Sequence, residues 1–203
     1  MKTLKYVLGL SLVIVLGVSV SGMISKPADA GMGKMNVGDT VSPFSLKDAN
    51  GKEHNLADAL GKKVIVLDFW NLNCPVSRGY EERLKALYKT FAPKDVVFYA
   101  IDSNNTNTVD AIKAYATQNE LPYSVLKDEK NVIADQFGAN VTPEVFVIGK
   151  DKKIQYHGPI DDKQNAAEVK QKLAENALNA VLAGKEVPVK EFKAFGCSIK
   201  RAN

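Results

Sequence analysis

The 203-residue sequence predicts an α/β domain on a central sheet, and three observations carry that prediction. Continuous apolar runs at KVIVLDFW (63–70), VVFYAID (96–102) and EVFVIG (144–149) have the length and composition of strands buried on both faces. Between them lie segments whose apolar residues recur at helical spacing. Strand and helix patterns alternate along the chain, with no internal repeat, low-complexity tract or second domain. The length suffices for one domain with a real hydrophobic core.

Residues 1–30 read as a targeting segment. Lys2 and Lys5 precede an uncharged apolar run from Tyr6 to about Val20, and Ala28-Asp29-Ala30 has the form of a signal-peptidase site. The competing reading is an uncleaved membrane anchor, because the uncharged stretch continues to Ser25 and a spanning helix needs roughly 20 residues. Cleavage would start the mature chain at Gly31 in an exported, periplasmic or otherwise extracytoplasmic setting. It would remove three lysines and one aspartate, so the formal charge would fall from +4 to +2. That charge, with no basic run longer than two residues, argues against a nucleic-acid surface.

Residues 31–42 are Gly- and Met-rich and then polar, as in a short flexible lead-in. The domain proper spans 43–184. FSLKDANGKEHNL (44–56) reads as a hairpin around an Asn50-Gly51 turn. After the strand at 63–70, Pro75 suits the first helical position, and Tyr80, Leu84, Leu87, Tyr88 and Phe91 continue at helical spacing. The strand at 96–102 leads to a helix at 107–119 with Val109, Ile112 and Tyr115 on one side. Strand-like YSVL, a short helix near 131–137, the strand at 144–149 and a returning strand KIQYHG follow. Val169, Leu173, Leu178 and Val181 predict a long helix from about Ala166 to Ala183, with Gly184 as its C-terminal cap. Residues 185–203 form a tail with Pro188, too short to fold alone.

The chemistry centres on Cys74, one of two cysteines in the chain. It lies at a strand-to-helix junction, where unpaired amides and the helix dipole stabilise a thiolate. Such positions lower a cysteine pKa from about 8.5 to as little as roughly 3.5–7.5. Ser77 falls in the first helical turn, where its hydroxyl would donate to the sulfur. Asp68, in an otherwise apolar strand, is a costly carboxylate whose raised pKa suits a proton acceptor. Thr142-Pro143 precedes the strand at 144–149, an awkward place for proline unless the bond is cis. Alone, each residue has a bland alternative: a small buried thiol, a strand-end carboxylate, a turn proline.

In order, these residues resemble the active-site stretch of thioredoxin-fold redoxins. Asp68, Phe69, Trp70, Cys74 and Pro75 fall in register with that superfamily's acid, aromatic pair, nucleophile and intervening proline, and Ser77 takes the place of its second cysteine. TPEVFVIGKDKKIQYHGPID resembles the cis-proline loop and following hairpin. The early hairpin and the inserted strand–helix–strand at 96–126 resemble the branch holding the alkyl hydroperoxide reductase/thiol-specific antioxidant (AhpC/TSA) and membrane-anchored thioredoxin-like proteins. The resemblance covers roughly residues 37–184. It implies a thioredoxin-like fold with a central mixed sheet, Cys74 as attacking thiol, Asp68 as buried acid and Pro143 as cis-proline.

The departures carry information too. Where peroxiredoxins place a proline and a Thr or Ser, seven and three residues before the peroxidatic cysteine, this chain has Leu67 and Asn71. The hydroxyl that orients a peroxide is missing, as is the dithiol of an ordinary thioredoxin. AFGCSIKR, near the end of the chain, resembles the glycine–cysteine tail of exported redoxins with a single CPxx cysteine, which makes Cys197 a candidate resolving thiol. A passive Cys74–Cys197 staple, an intermolecular disulfide and an inert thiol remain the other readings of that cysteine.

The sequence therefore points to an exported thiol–disulfide oxidoreductase acting on a protein or small-molecule thiol or disulfide, with an unidentified thiol electron donor. It expects no bound cofactor and no metal. Trp70, Pro75, Ser77, Thr142 and Pro143 would bind the substrate, with Trp70 and Thr142-Pro143 forming the contact surface for a partner's extended segment. The alternatives are a thiol-dependent peroxidase and a non-catalytic binding module on the same fold. His54 and His157 are expected at the surface, and Glu81 and Glu82 on a solvated helix face. Asn104 and Asn140 begin N-x-T triplets, short matches that arise often by chance.

Overall fold

The computed structural model describes residues 34–202. The targeting segment 1–30, the Ala28-Asp29-Ala30 triplet and residues 31–33 lie outside the described residues. Among those described, no helix is long and apolar enough to cross a membrane.

The early hairpin forms as its turn chemistry dictates. Strands β1 (Ser45–Asp48) and β2 (Glu53–Asn55) pair antiparallel, and Gly51 at the turn has φ 81°. Strand β3 (Val64–Phe69) is buried at every position and pairs on both sides, parallel to β4 (Val96–Asp102) and antiparallel to β7 (Glu144–Ile148). Strand β5 (Ser124–Lys127) joins β4 to the hairpin, and β8 (Ile154–Gly158) closes the other edge. The seven strands run in the order β2-β1-β5-β4-β3-β7-β8, a mixed sheet with β3 near its middle.

Alternation along β3 sends Val64 and Val66 to one face and Ile65, Leu67 and Phe69 to the other. The first face is covered by α1 (Pro75–Phe91), α2 (Val109–Gln118) and α4 (Leu173–Leu182), through Tyr80, Leu84, Leu87, Ile112, Leu173 and Leu178. The second is covered by α3 (Val132–Phe137), the segment before β1 and, from the tail, Ile199. The aromatic group Phe69, Phe137 and Phe146 lies there, with ring centroids 5.1–6.0 Å apart.

Two stretches differ from the sequence expectation. The helix expected from about Ala166 starts only at Leu173, after a single 3-10 turn at Ala166–Glu168. Asp162 explains the delay, because its carboxylate accepts the Lys170 and Gln171 amides at 3.0 and 3.1 Å and holds that stretch off the helical path. At the far end Gly184 (φ 64°) closes the helix: its amide reaches Val181, and the Lys185 amide reaches Ala180. The described part of the lead-in is tied to β8. The Gly38 and Val41 amides donate to Ile154 and Lys152, and Val41 is buried.

The tail runs back across the molecule. The Phe192 amide donates to the His157 carbonyl at 3.0 Å and the His157 amide to the Lys190 carbonyl at 2.9 Å, Val187 is buried on the first face, and β9 (Cys197–Ser198) pairs antiparallel with β6 (Val141–Thr142). Sequence pattern does not distinguish a docked tail from a loose one; this tail is docked.

Candidate active site

Strand β3 delivers the chain to the site and a tight turn ends it. The Cys74 amide donates to the Asn71 carbonyl at 3.0 Å, while the Asn71 side chain accepts the Asn73 amide at 2.8 Å. Cys74 is then the N-cap of α1, with Pro75 at the first helical position, where its missing N–H costs nothing. The Ser77 amide donates to the Cys74 sulfur at 3.4 Å. The sequence assigned that bond to the Ser77 hydroxyl. The helix start instead presents its backbone N–H, and the hydroxyl, buried, has no protein partner.

Cys74 is bonded to Cys197, with 5.9 Å between their Cα atoms. The Thr142–Pro143 peptide bond is cis, and the Thr142 carbonyl oxygen lies 3.1 Å from the Cys74 sulfur. In the β6–β9 pair Thr142 stands opposite Cys197 and its hydroxyl donates to the Cys197 carbonyl at 3.4 Å. The turn after β3, the cis-proline loop and the tail thus meet at one sulfur–sulfur bond.

Asp68 is 2% exposed in the interior of β3, on the side of the sheet that α1 covers. Burial pushes its carboxyl up to about 7, with the Glu144 backbone amide drawing it part of the way back. One of its oxygens has no protein hydrogen-bond partner. A carboxyl titrating near neutrality can take up or release a proton at physiological pH.

Trp70 is corrected most clearly. It is 1% exposed and packs against Tyr115 at 5.3 Å, so with the disulfide formed it offers no contact surface. Thr142 and Pro143 are also buried, whereas Pro75 is exposed. The extended segment lying along Thr142 is the chain's own tail.

The histidines and Glu81 are corrected as well. His157 is buried, stacks on Phe146 at 4.3 Å and bonds the Glu144 carboxylate at 2.6 Å. The second oxygen of that carboxylate accepts the Asn140 and Val141 amides, so one acid fastens the loop leading to the cis bond. Burial alone would raise Glu144, but His157 and those two amides outweigh it and hold the group below the usual range. His54 is half-buried, bonded to Asp48 at 2.8 Å and edge-on to Tyr99. Glu81 is buried and accepts the Tyr115 hydroxyl at 2.8 Å, while Glu82 is exposed. Among the described residues no cluster of three or more His, Cys, Asp or Glu is arranged to hold a metal ion.

A polar cluster that the sequence reading missed links the two cysteine segments. Asn107 donates to Asn71 at 3.0 Å and to Asp102 at 2.5 Å, and accepts from Asn73 at 2.7 Å. Asp102 also accepts the Asn104 amide and an ion pair from Lys127. Asn104, fully buried, accepts the Lys200 amide at 2.9 Å, and the Asn105 amide donates to the Lys200 carbonyl. Asn131 accepts the Ala202 amide at 2.7 Å. Four asparagines between 104 and 131 and one aspartate thereby anchor both the Cys74 turn and the tail. The signal was the Asn-rich stretch DSNNTNT (102–108), which lies between the expected strand at 96–102 and the expected helix at 107–119 and has no apolar periodicity of its own.

A sheet of this order, a thiol at a helix start and a cis-proline beside it define a thioredoxin-like redox protein. The chain belongs to the AhpC/TSA family, whose sequence model matches residues 37–157. It is similar to the thiol-disulfide oxidoreductase ResA of Bacillus thuringiensis (strain Al Hakam), 31% identical over 121 residues, covering 60% of this chain and 68% of that one. It is also similar to the thioredoxin-like protein YneN of Bacillus subtilis, 26% identical over 151 residues, covering 74% and 87%. Among solved structures, a hypothetical protein from Sinorhizobium meliloti 1021 superimposes with a TM-score of 0.77 at 26% identity, covering 84% of this chain and 97% of that one.

Proposed function

We propose that this redox enzyme is an exported thiol–disulfide oxidoreductase in which Cys74 attacks and Cys197 resolves. The observation that carries the proposal is the Cys74–Cys197 bond at the start of α1, beside the cis-proline loop. In the reduced enzyme the Ser77 amide and the helix start favour the Cys74 thiolate. The thiolate attacks one sulfur of a substrate disulfide, forms a mixed disulfide and expels the other sulfur as a thiolate. Cys197, deprotonated, attacks Cys74, forms the internal disulfide and releases the second substrate thiolate. Net, one substrate disulfide becomes two thiols while the enzyme dithiol is oxidised, and a thiol donor restores it. Asp68 accepts and returns the proton of Cys74.

Export is supported by the Lys-flanked apolar run and the Ala28-Asp29-Ala30 triplet, and by a disulfide that an oxidising compartment permits. Residues 43–184 would then form the redoxin domain and 185–203 the arm that carries its second thiol. Peroxide chemistry is less well served. Asn71 stands where an orienting hydroxyl would be, and its side chain is already engaged by Asn73 and Asn107.

Thiol alkylation with a mass readout, with and without prior reduction, tests the reading. Air-oxidised protein is expected to resist alkylation at both cysteines, and reduced protein to take two labels that thiol–disulfide buffers exchange reversibly. Two free thiols under oxidising buffer would overturn it.

A further inference from the structure

The seat of the tail has a defined chemistry. The Val141–Thr142 edge pairs, among the described residues, with β9 alone. Beyond Cys197, the Ile199 amide donates to the Asn140 carbonyl at 2.9 Å, and the Ile199 side chain is 6% exposed within the apolar cluster of the second sheet face. The Lys200 and Ala202 amides end on the buried side-chain oxygens of Asn104 and Asn131. Arg201 bonds Asp135 at 2.8 Å and the Ala139 carbonyl at 2.8 Å. Before the cysteine, a Cβ on Gly196 would collide with the Thr142 backbone carbonyl.

With Cys197 in place, Cys74 is 1% exposed. A partner reaches its sulfur only after the tail has left. Departure strips partners from the Val141–Thr142 edge and from the acceptors of Asn104 and Asn131, and each such hydrogen bond contributes about 0.5–1.5 kcal/mol net. A chain that repeats the tail's pattern restores these bonds by adding a strand to the same edge. A small-molecule disulfide restores few of them.

On this basis, and resting on the thiol-exchange reading above, we infer that the vacated seat docks an extended cysteine-bearing segment of a protein partner. The segment has glycine immediately before its cysteine and an aliphatic residue two positions after it. The tail is the internal copy of that partner segment.

The test uses the full chain carrying Cys197→Ser, so that adducts on Cys74 persist. It is offered synthetic peptides spanning residues 194–201, each as a mixed disulfide with glutathione. The Cys74 thiolate attacks the peptide sulfur, a Cys74–peptide disulfide forms, and glutathione leaves as its thiolate. The native peptide is compared with versions carrying Gly196→Ala or Ile199→Ser, which leave the reacting sulfur unchanged, and the adduct is followed by mass. The native peptide is expected to react at least roughly tenfold faster than either variant, the ratio that 1.4 kcal/mol of lost docking gives. Equal rates for the three peptides would overturn the inference. So would failure of all three peptides while an aromatic disulfide such as dithiobis(nitrobenzoate) still labels Cys74, and that result would leave the thiol-exchange reading standing. A Cys74 inert to the aromatic disulfide as well would overturn both.

Discussion

Cys74 and Cys197 share one bond but are held by opposite kinds of structure. Cys74 stands between a strand buried at all six positions and a 17-residue helix, in the middle of the sheet. Cys197 stands in a two-residue strand whose neighbours on the C-terminal side are secured by Ile199 and by hydrogen bonds to Asn104, Asn105 and Asn131. Each such bond contributes about 0.5–1.5 kcal/mol net, so the tail can be released stepwise while the core stays intact. An attacking thiol needs a fixed position and a fixed field of amides. A resolving thiol needs a hold that can be undone on every cycle. The difference in support matches the difference between the tasks proposed for the two cysteines.

Substituting each cysteine in turn is the harshest way to break this comparison. Cys74→Ser is expected to reduce thiol exchange to background. Cys197→Ser is expected to leave the first attack intact and to stall on a Cys74 mixed disulfide, visible as a mass adduct. Both lose the internal crosslink, and the chain-entropy model puts that at roughly 5 kcal/mol of unfolding free energy for so long a loop. Equal loss of the first attack in both variants would erase the distinction between attacker and resolver.

Asp68 sharpens the comparison on the rigid side. Its carboxyl is raised to about 7 in the fold, against about 3.9 in the unfolded chain. Between those values the folded state keeps a proton that the unfolded state has lost. Stability therefore falls as pH rises from about 4 to about 7, and the full cost stands above 7. Asp68→Asn is expected to stabilise the protein by up to about 4 kcal/mol at pH 8 and by little at pH 4. It is also expected to slow exchange near neutrality, where the proposed mechanism uses its proton. Denaturant unfolding at the two pH values checks the first outcome. Glu144 has the opposite sign, because its lowered pKa gives stability above the unfolded value that is lost as acid protonates it.

The smallest effect belongs to the tail. Asn104→Ala removes the acceptor of the Lys200 amide, at a cost of about 1 kcal/mol. Hydrogen exchange at Lys200 is expected to accelerate roughly fivefold, with the amides of β3 and β4 unchanged. Equal acceleration in the core strands would show that tail and core open as one unit.

The sequence made the rigid half legible and left the tail obscure, for physical reasons. Strand β3 and helix α1 bury side chains at regular spacing, so period and composition mark them, and Asp68 stands out against its apolar neighbours. The tail is docked by backbone groups reaching asparagine side chains, and backbone leaves no trace in residue pattern. His157 looked like a surface residue because nothing in the sequence pairs it with Glu144, thirteen positions earlier and across a hairpin. The late start of α4 was hidden in the same way, since Asp162 acts on amides eight and nine positions ahead.

Trp70 is the sole tryptophan of the chain, so the protein's indole emission comes from one place, four residues before Cys74. A ring so enclosed emits at short wavelength, and water entering beside it shifts the spectrum to the red. Opening of the packing between Trp70 and Tyr115 can therefore be followed optically, in real time and without any label.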